Sequence, residues 1–186
     1  MKTLVFFLLL FFLFQVCFSQ KVEVGGDIGY ANSPFSSSGF IANGFQLSAL
    51  TNFYPNHAIF YFNTGLAYQK EDNWNFIKIP LGLVLSPGRK VKFLIGLGLY
   101  ANFVILQSKF YSKYDVIAKN DVVLDAYFLL GSSFNIEKNW SIFIKSQVET
   151  GLTTLYTPSA EPDGENHNKF LSVSVSIGVA YLLFQK

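Results

Sequence analysis

The 186-residue sequence predicts an all-β fold: a transmembrane antiparallel up-and-down β-barrel of about eight strands, preceded by a signal peptide. Three observations predict it. Apolar side chains recur at every second position in eight separate segments, which is the period of a strand with one apolar face. Short and longer connections alternate along the chain, as they do between periplasmic turns and outer loops. Glycines crowd the less apolar face, where side chains from all the strands would converge in a lumen.

The first element is a leader. Lys2 supplies a positive start, Leu4 to Phe14 is an unbroken apolar run, and Cys17-Phe18-Ser19 places small residues at the −3 and −1 positions of a cleavage site. Residues 1 to 19 therefore read as a signal peptide and 20 to 186 as an outer-membrane β-barrel domain. A spanning helix needs about 20 apolar residues, more than this run provides. Lipidation at Cys17 is the alternative, but Phe14-Gln15-Val16 lacks the small residue such a site wants next to its cysteine. Cleavage before Gln20 leaves a chain with no cysteine and with 13 basic residues, Lys2 being lost from 14, against 12 acidic ones. Thiol chemistry is then excluded, and the near-neutral balance makes no electrostatic case for nucleic acid.

The eight segments follow in order. The first sets Val22, Val24, Ile28 and Tyr30 against Glu23, Gly25, Asp27 and Gly29, and the second sets Phe45, Leu47 and Phe53 against Gln46, Ser48 and Asn52. The third opposes Phe60, Phe62, Leu66 and Tyr68 to Tyr61, Asn63, Gly65 and Gln69. In the fourth, Ile77 to Leu85 alternate with Lys78, Pro80 and Gly82; Pro80 is awkward in a central strand because it has no N–H. The fifth runs from Lys92 to Phe103, the sixth from Leu124 to Phe134, the seventh from Trp140 to Glu149 and the eighth from Leu171 to Tyr181, all with the same division.

Tight connections are expected at Tyr54 to His57, Pro87 to Lys90 and Asn135 to Asn139. Looser ones are expected at Asn32 to Ser38, Lys70 to Asn75, Gln107 to Asn120 and Thr153 to Asn168. A soluble lipocalin-like cup would also have eight strands, but its glycine-rich face would have to meet water. Here the apolar face instead carries Phe53, Phe60, Phe93, Phe134, Trp140 and Tyr181 beside the short turns, the pattern of an interfacial girdle.

Four short motifs add a resemblance. Ile77-Lys78-Ile79-Pro80-Leu81-Gly82, Gly96-Leu97-Gly98-Leu99-Tyr100, Gly151-Leu152-Thr153 and Ile177-Gly178-Val179-Ala180-Tyr181, in that order, resemble the PorT-like outer-membrane β-barrel proteins of Bacteroidota. The resemblance implies a barrel in the cell outer membrane. An accessory role in protein secretion is one function it implies, although Lys145-Ser146-Gln147-Val148 departs from the arginine-and-tyrosine pattern associated with the family's seventh strand. Ser176, Gly178, Tyr181 and Leu183 resemble the terminal signal read by the barrel-assembly machinery, which implies a partner during biogenesis.

No catalytic constellation emerges. The two histidines, His57 and His167, fall in connections on opposite sides of the expected membrane, and Ser132 and Ser146 lie on the apolar face without a histidine nearby. Glu161-Pro162-Asp163-Gly164-Glu165-Asn166-His167 is rich in oxygen ligands but lacks EF-hand spacing, so no metal or other cofactor is expected. Lys109, Phe110, Tyr111, Lys113 and Tyr114 interleave cations with aromatics, a composition suited to a protein or glycan ligand or to lipid headgroups at the outer face. The inward residues Glu23, Asp27, Lys78, Lys92, Asp125, Lys145 and Glu149 read as a structural polar network filling the lumen. A five-residue turn at Asn135 to Asn139 would set Asp125 opposite Glu149, with Lys78 or Lys145 between them. The sequence thus predicts a non-enzymatic barrel that acts through its outer loops. The alternatives are a narrow pore and the secretion role already mentioned.

Overall fold

Strict alternation satisfies two environments at once only if every strand finds a neighbour on both sides, because an unpaired edge in lipid strands a row of N–H and C=O groups. The chain meets that condition by closing on itself. The computed structural model describes residues 21–34, 41–55, 59–71, 74–107, 117–118, 122–153, 156–157 and 171–185. These form β1 (Lys21–Pro34), β2 (Ile41–Tyr54), β3 (Phe60–Glu71), β4 (Trp74–Leu85), β5 (Val91–Gln107), β6 (Ile117–Ala118), β7 (Val122–Asn135), β8 (Trp140–Gly151), β9 (Tyr156–Thr157) and β10 (Leu171–Gln185). Eight of them make a closed antiparallel barrel in the order β1-β10-β8-β7-β5-β4-β3-β2. The two-residue strands β6 and β9 pair with each other, joining the connections that follow β5 and β8. The sequence reading treated both connections as loops, since two residues carry no periodicity.

The cross-strand register fixes the barrel's shape. Stepping from Val22 through its successive partners Phe53, Phe62, Leu83, Leu97, Phe128, Val148 and Val173 leads back to β1 at Asn32, ten residues further on. With about 3.3 Å per residue and about 4.8 Å between strands, that stagger tilts the strands by about 40° from the axis. All eight residues from Val22 to Val173 on this path are apolar and belong to the outward face. Ile28, Leu47, Leu66, Leu97, Phe128, Ile144 and Ile177 are exposed around the circumference, whereas their neighbours in sequence point inward. Val22 and its partner Phe53 are covered, so Phe53 is not part of the exposed girdle. Trp140 and Tyr181 stack in that girdle with ring centroids 4.8 Å apart.

Two local features answer questions raised by the sequence. Pro80 does sit in a central strand, and the β3–β4 ladder is interrupted there: pairing runs to Thr64↔Leu81 and resumes, in the same register, at Ala67↔Lys78. The missing N–H thus falls in a gap of the ladder, while β4 still pairs with β5 through Pro80↔Tyr100. At the β4–β5 turn Gly88 has φ 126°, which a Cβ would disfavour, and the Pro87 carbonyl accepts from the Phe93 N–H at 3.0 Å.

The connections correct one expectation. Lys70 to Asn75 is not a loose loop, because β3 and β4 continue pairing to Lys70↔Asn75 and Glu71↔Trp74 and leave only residues 72–73 between them. The Tyr68 hydroxyl, which donates to Asn75 Oδ1 at 2.7 Å, holds the two strands together near this end.

Candidate functional site in the lumen

The inward face is filled in layers. Nearest the short turns lie Glu23, Tyr54, Tyr61 and Lys92; above them comes an apolar plug of Leu50, Val84, Leu94, Leu129, Phe143 and Ala180. The half nearer the longer connections is polar and carries two buried ion pairs. Burying a lone ammonium or carboxylate is costly, and a close partner with further hydrogen bonds offsets that cost.

In the first pair the Lys78 ammonium donates to Glu149 Oε2 and also to Gln69 Oε1 at 2.6 Å, while lying 4.7 Å from the centre of the Tyr100 ring. Gln147 braces the other side, donating from Nε2 to Glu149 Oε1 at 3.2 Å and to the Tyr100 hydroxyl oxygen at 2.8 Å. In the second pair Lys145 donates to Asp27 Oδ2 at 2.8 Å. Asp27 Oδ1 accepts from the Ser48 hydroxyl at 3.1 Å, and Ser48 in turn accepts from Gln46 Nε2 at 3.0 Å.

Asp125 accepts from Asn102 Nδ2 on the neighbouring strand β5. It does not face Glu149. The β7–β8 register pairs Asp125 with Gly151 and Tyr127 with Glu149, two residues away from the expected alignment. The cause is the turn: both the Ile136 and the Glu137 N–H donate to the Trp140 carbonyl, so the hydrogen bonding runs past the end of β7 and the turn closes more tightly than a five-residue loop would. A shift of two preserves the faces and changes only the partners. Neither Lys78 nor Lys145 therefore bridges Asp125 and Glu149: Lys78 pairs with Glu149 and Lys145 with Asp27.

At the short-turn end Glu23 accepts from the Lys21 ammonium at 2.5 Å and the Tyr54 hydroxyl at 2.7 Å. Lys92 takes part in none of these three ion pairs; its ammonium lies 6.0 Å from the centre of the Tyr54 ring. The tyrosines Tyr54, Tyr61, Tyr100 and Tyr127 were not singled out in the sequence as lumen ligands, yet they stack in pairs at 4.8 Å and 4.7 Å and fill much of the interior. Their inward parity was the available signal.

The lumen is a packed polar interior inside an apolar shell, the inverse of a soluble barrel. The chain has the fold of a small outer-membrane barrel. Neisserial surface protein A matches over 86% of this chain and 96% of its own, with a TM-score of 0.65 at 16% identity. A de novo designed transmembrane β-barrel matches over 89% and 97%, with a TM-score of 0.50 at 12% identity. No family profile and no curated protein matches the sequence. Shared architecture at such low identity concerns the fold, and the exposed apolar belt independently marks the barrel as membrane-embedded.

Other expected features lie outside the described residues: the signal peptide, His57, His167, the segment Glu161 to His167, and the outer-loop residues Lys109, Phe110, Tyr111, Lys113 and Tyr114. Ser132 and Ser146 point to the lipid side, opposite Ile144 and Leu130 on the paired strands. Among the described residues no group of three or more His, Cys, Asp or Glu side chains could hold a metal ion.

Proposed function

We propose that the protein is a non-enzymatic outer-membrane barrel whose lumen is closed by its own side chains and whose outer connections act as a membrane-mounted structural or interaction module. One observation carries this reading: the described lumen is filled in layers by the tyrosines of the short-turn end, the apolar plug and the two buried ion pairs, and the cavity lined by Glu23, Tyr61 and Lys92 measures about 30 Å³. That is room for a water molecule or two and not for a continuous aqueous path. What remains for recognition is the end bearing the longer connections, where a protein or glycan ligand would bind, with outer-membrane lipid around the shell. Barrel-assembly machinery is the partner during biogenesis that the β10 pattern implies. The resemblance to PorT-like proteins supports a finer proposal, an accessory place beside a secretion apparatus.

The test is conductance of the refolded barrel in a planar bilayer, joined to cross-linking and co-purification from native membranes. A silent bilayer together with a stoichiometric protein or glycan partner is the expected result. Stable, repeatable open levels would replace the closed module with a narrow pore.

A further inference from the structure

The short-turn end of the barrel is tied together sideways by hydrogen bonds between connections. The Ser86 N–H donates to the Ile59 carbonyl at 2.6 Å and the Leu182 N–H to the Asn139 carbonyl at 2.8 Å. Between them, Asn135 joins the β7–β8 turn to the β4–β5 turn: its N–H donates to the Lys90 carbonyl and its side-chain amide to the Arg89 carbonyl, both at 3.0 Å. The two turns thus stand side by side and display three exposed cations, Arg89, Lys90 and Lys138, against one exposed acid, Glu137. None of these four joins an ion pair among the described residues. An exposed lysine ordinarily needs no partner but water, yet the place of these cations is not open solvent. The Lys90 ammonium lies 5.5 Å from the centre of the Phe134 ring, which belongs to the lipid-facing wall, and Phe93, Ile136 and Trp140 expose more apolar surface on the same stretch of that wall.

We infer that this arc of the rim, over β5, β7 and β8, binds the headgroup of an anionic glycerophospholipid, with Arg89, Lys90 and Lys138 around its phosphodiester and its acyl chains against Phe93, Phe134 and Trp140. Connections as short as 86–90 and 136–139 project little beyond the bilayer, so their cations stand at the level of phosphate oxygens. A water-soluble acidic partner would have to reach down among the headgroups to touch Lys90. Short turns face the periplasm in such barrels, and that leaflet is built of glycerophospholipid. A zwitterionic headgroup brings its own ammonium and gains little from three more cations. An anionic one gains about fivefold for each lysine or arginine near the surface. Because the turns are already tied to each other, the backbone that carries these cations loses little freedom on closing around a headgroup. The site lies at the opposite end of the barrel from the outer connections and does not rest on the function proposed for them.

Trp140 supplies the reporter, since it stands in this arc, stacked on Tyr181, and Trp74→Phe leaves it the only tryptophan of the chain. The full mature barrel carrying Trp74→Phe is reconstituted in phosphatidylcholine bilayers that contain either phosphatidylglycerol or phosphatidylethanolamine, each brominated in its acyl chains. Quenching of Trp140 then measures which lipid sits beside it. Brominated phosphatidylglycerol should be favoured over brominated phosphatidylethanolamine by about five- to tenfold at low salt. Combining Arg89→Gln, Lys90→Gln and Lys138→Gln should abolish the preference, Lys90→Arg should keep it, and Lys70→Gln at the far end of the barrel should leave it unchanged. Heat-modifiability on a gel reports whether each variant is folded; if the triple variant does not fold, the ratio in the unsubstituted rim and Lys90→Gln alone decide. The proposal is overturned if the two lipids quench alike, if the folded triple variant keeps the preference, or if Lys70→Gln lowers it as much. It is also overturned if inorganic phosphate at constant ionic strength removes the preference, which would make this a site for the free anion.

Discussion

Lys78 of β4 and Glu149 of β8 form a fully enclosed ion pair although they are 71 positions apart in sequence, each side chain being 1% exposed. Neither strand touches the other in the sheet, so the pair is a strut across the lumen and not a cross-strand contact. Such a pair resists being broken more than it resists being replaced, because removing one partner leaves the other charged and enclosed.

Lys78→Met should therefore destabilise the folded barrel by about 3 to 5 kcal/mol. Adding Glu149→Gln should restore much of that loss, since no uncompensated charge then remains. Urea unfolding from lipid vesicles measures both. If the double variant is no better than the single one, the pair's value lies in its hydrogen bonds and not in its charge balance.

The Lys145–Asp27 pair gives a parallel test in the middle of the barrel. Lys145→Met should lower the temperature at which the detergent-folded band converts to the unfolded band on a heat-modifiability gel. Lys138→Met, in the exposed β7–β8 turn, should leave it unchanged. Equal behaviour would mean that water reaches the lumen and screens the pair.

These two struts show what could be read from the sequence and what could not. Parity alone placed Glu23, Asp27, Lys78, Asp125, Lys145 and Glu149 inward, and all six are buried in the lumen. Partners across a lumen are set by tilt and stagger, which accumulate over every register in the ring, so the assignment of Lys78 to Glu149 had no local signature. A single hairpin shows the sensitivity: a five-residue turn at Asn135 to Asn139 in place of the tighter one sets Asp125 opposite Glu149 instead of Gly151. The continuation of pairing to Glu71↔Trp74 was hidden for another reason, since the polar run from Lys70 to Asn75 has the composition of a loop.

The lipid face predicts a depth-dependent cost. Leu97 is 64% exposed midway along the barrel wall, and Leu183 is 57% exposed near the end of β10. Leu97→Arg should cost about 2 to 4 kcal/mol and Leu183→Arg about 0 to 1 kcal/mol, because an arginine at the rim reaches the headgroups. Unfolding titrations in bilayers check this, and equal costs would place the membrane elsewhere on the wall.

Orientation follows from the ends of the strands. Both termini of the barrel lie at the end of the short turns, since β1 begins and β10 finishes there. Protease added to whole cells should cut first within 108–121 or 154–170, and cutting first at Pro87 to Lys90 would invert the barrel. Mass spectrometry of the same material should find residues 1 to 19 removed.

Gly82 and Tyr127 make the last prediction, on packing. A Cβ built at Gly82 would fall 1.8 Å from the Tyr127 hydroxyl oxygen and 2.8 Å from its ring carbon, so the absent side chain at 82 is the space the tyrosine occupies. A Cβ at Gly98, the cross-strand partner of Gly82, would instead meet the Leu81 carbonyl oxygen at 2.4 Å and the Gly82 Cα at 2.7 Å, as well as the same ring at 2.7 Å. Gly82→Ala and Gly98→Ala should each destabilise by about 1 to 3 kcal/mol through overpacking. Tyr127→Leu shortens the side chain and should relieve Gly82→Ala, giving a double variant more stable than the two separate losses would sum to. It should do little for Gly98→Ala, whose clash is mainly with backbone that cannot withdraw without opening the β4–β5 ladder. Chemical unfolding of the three single variants and the two combinations separates the cases. Equal rescue of both alanines would mean that the tyrosine ring, and not the ladder, limits the space at Gly98.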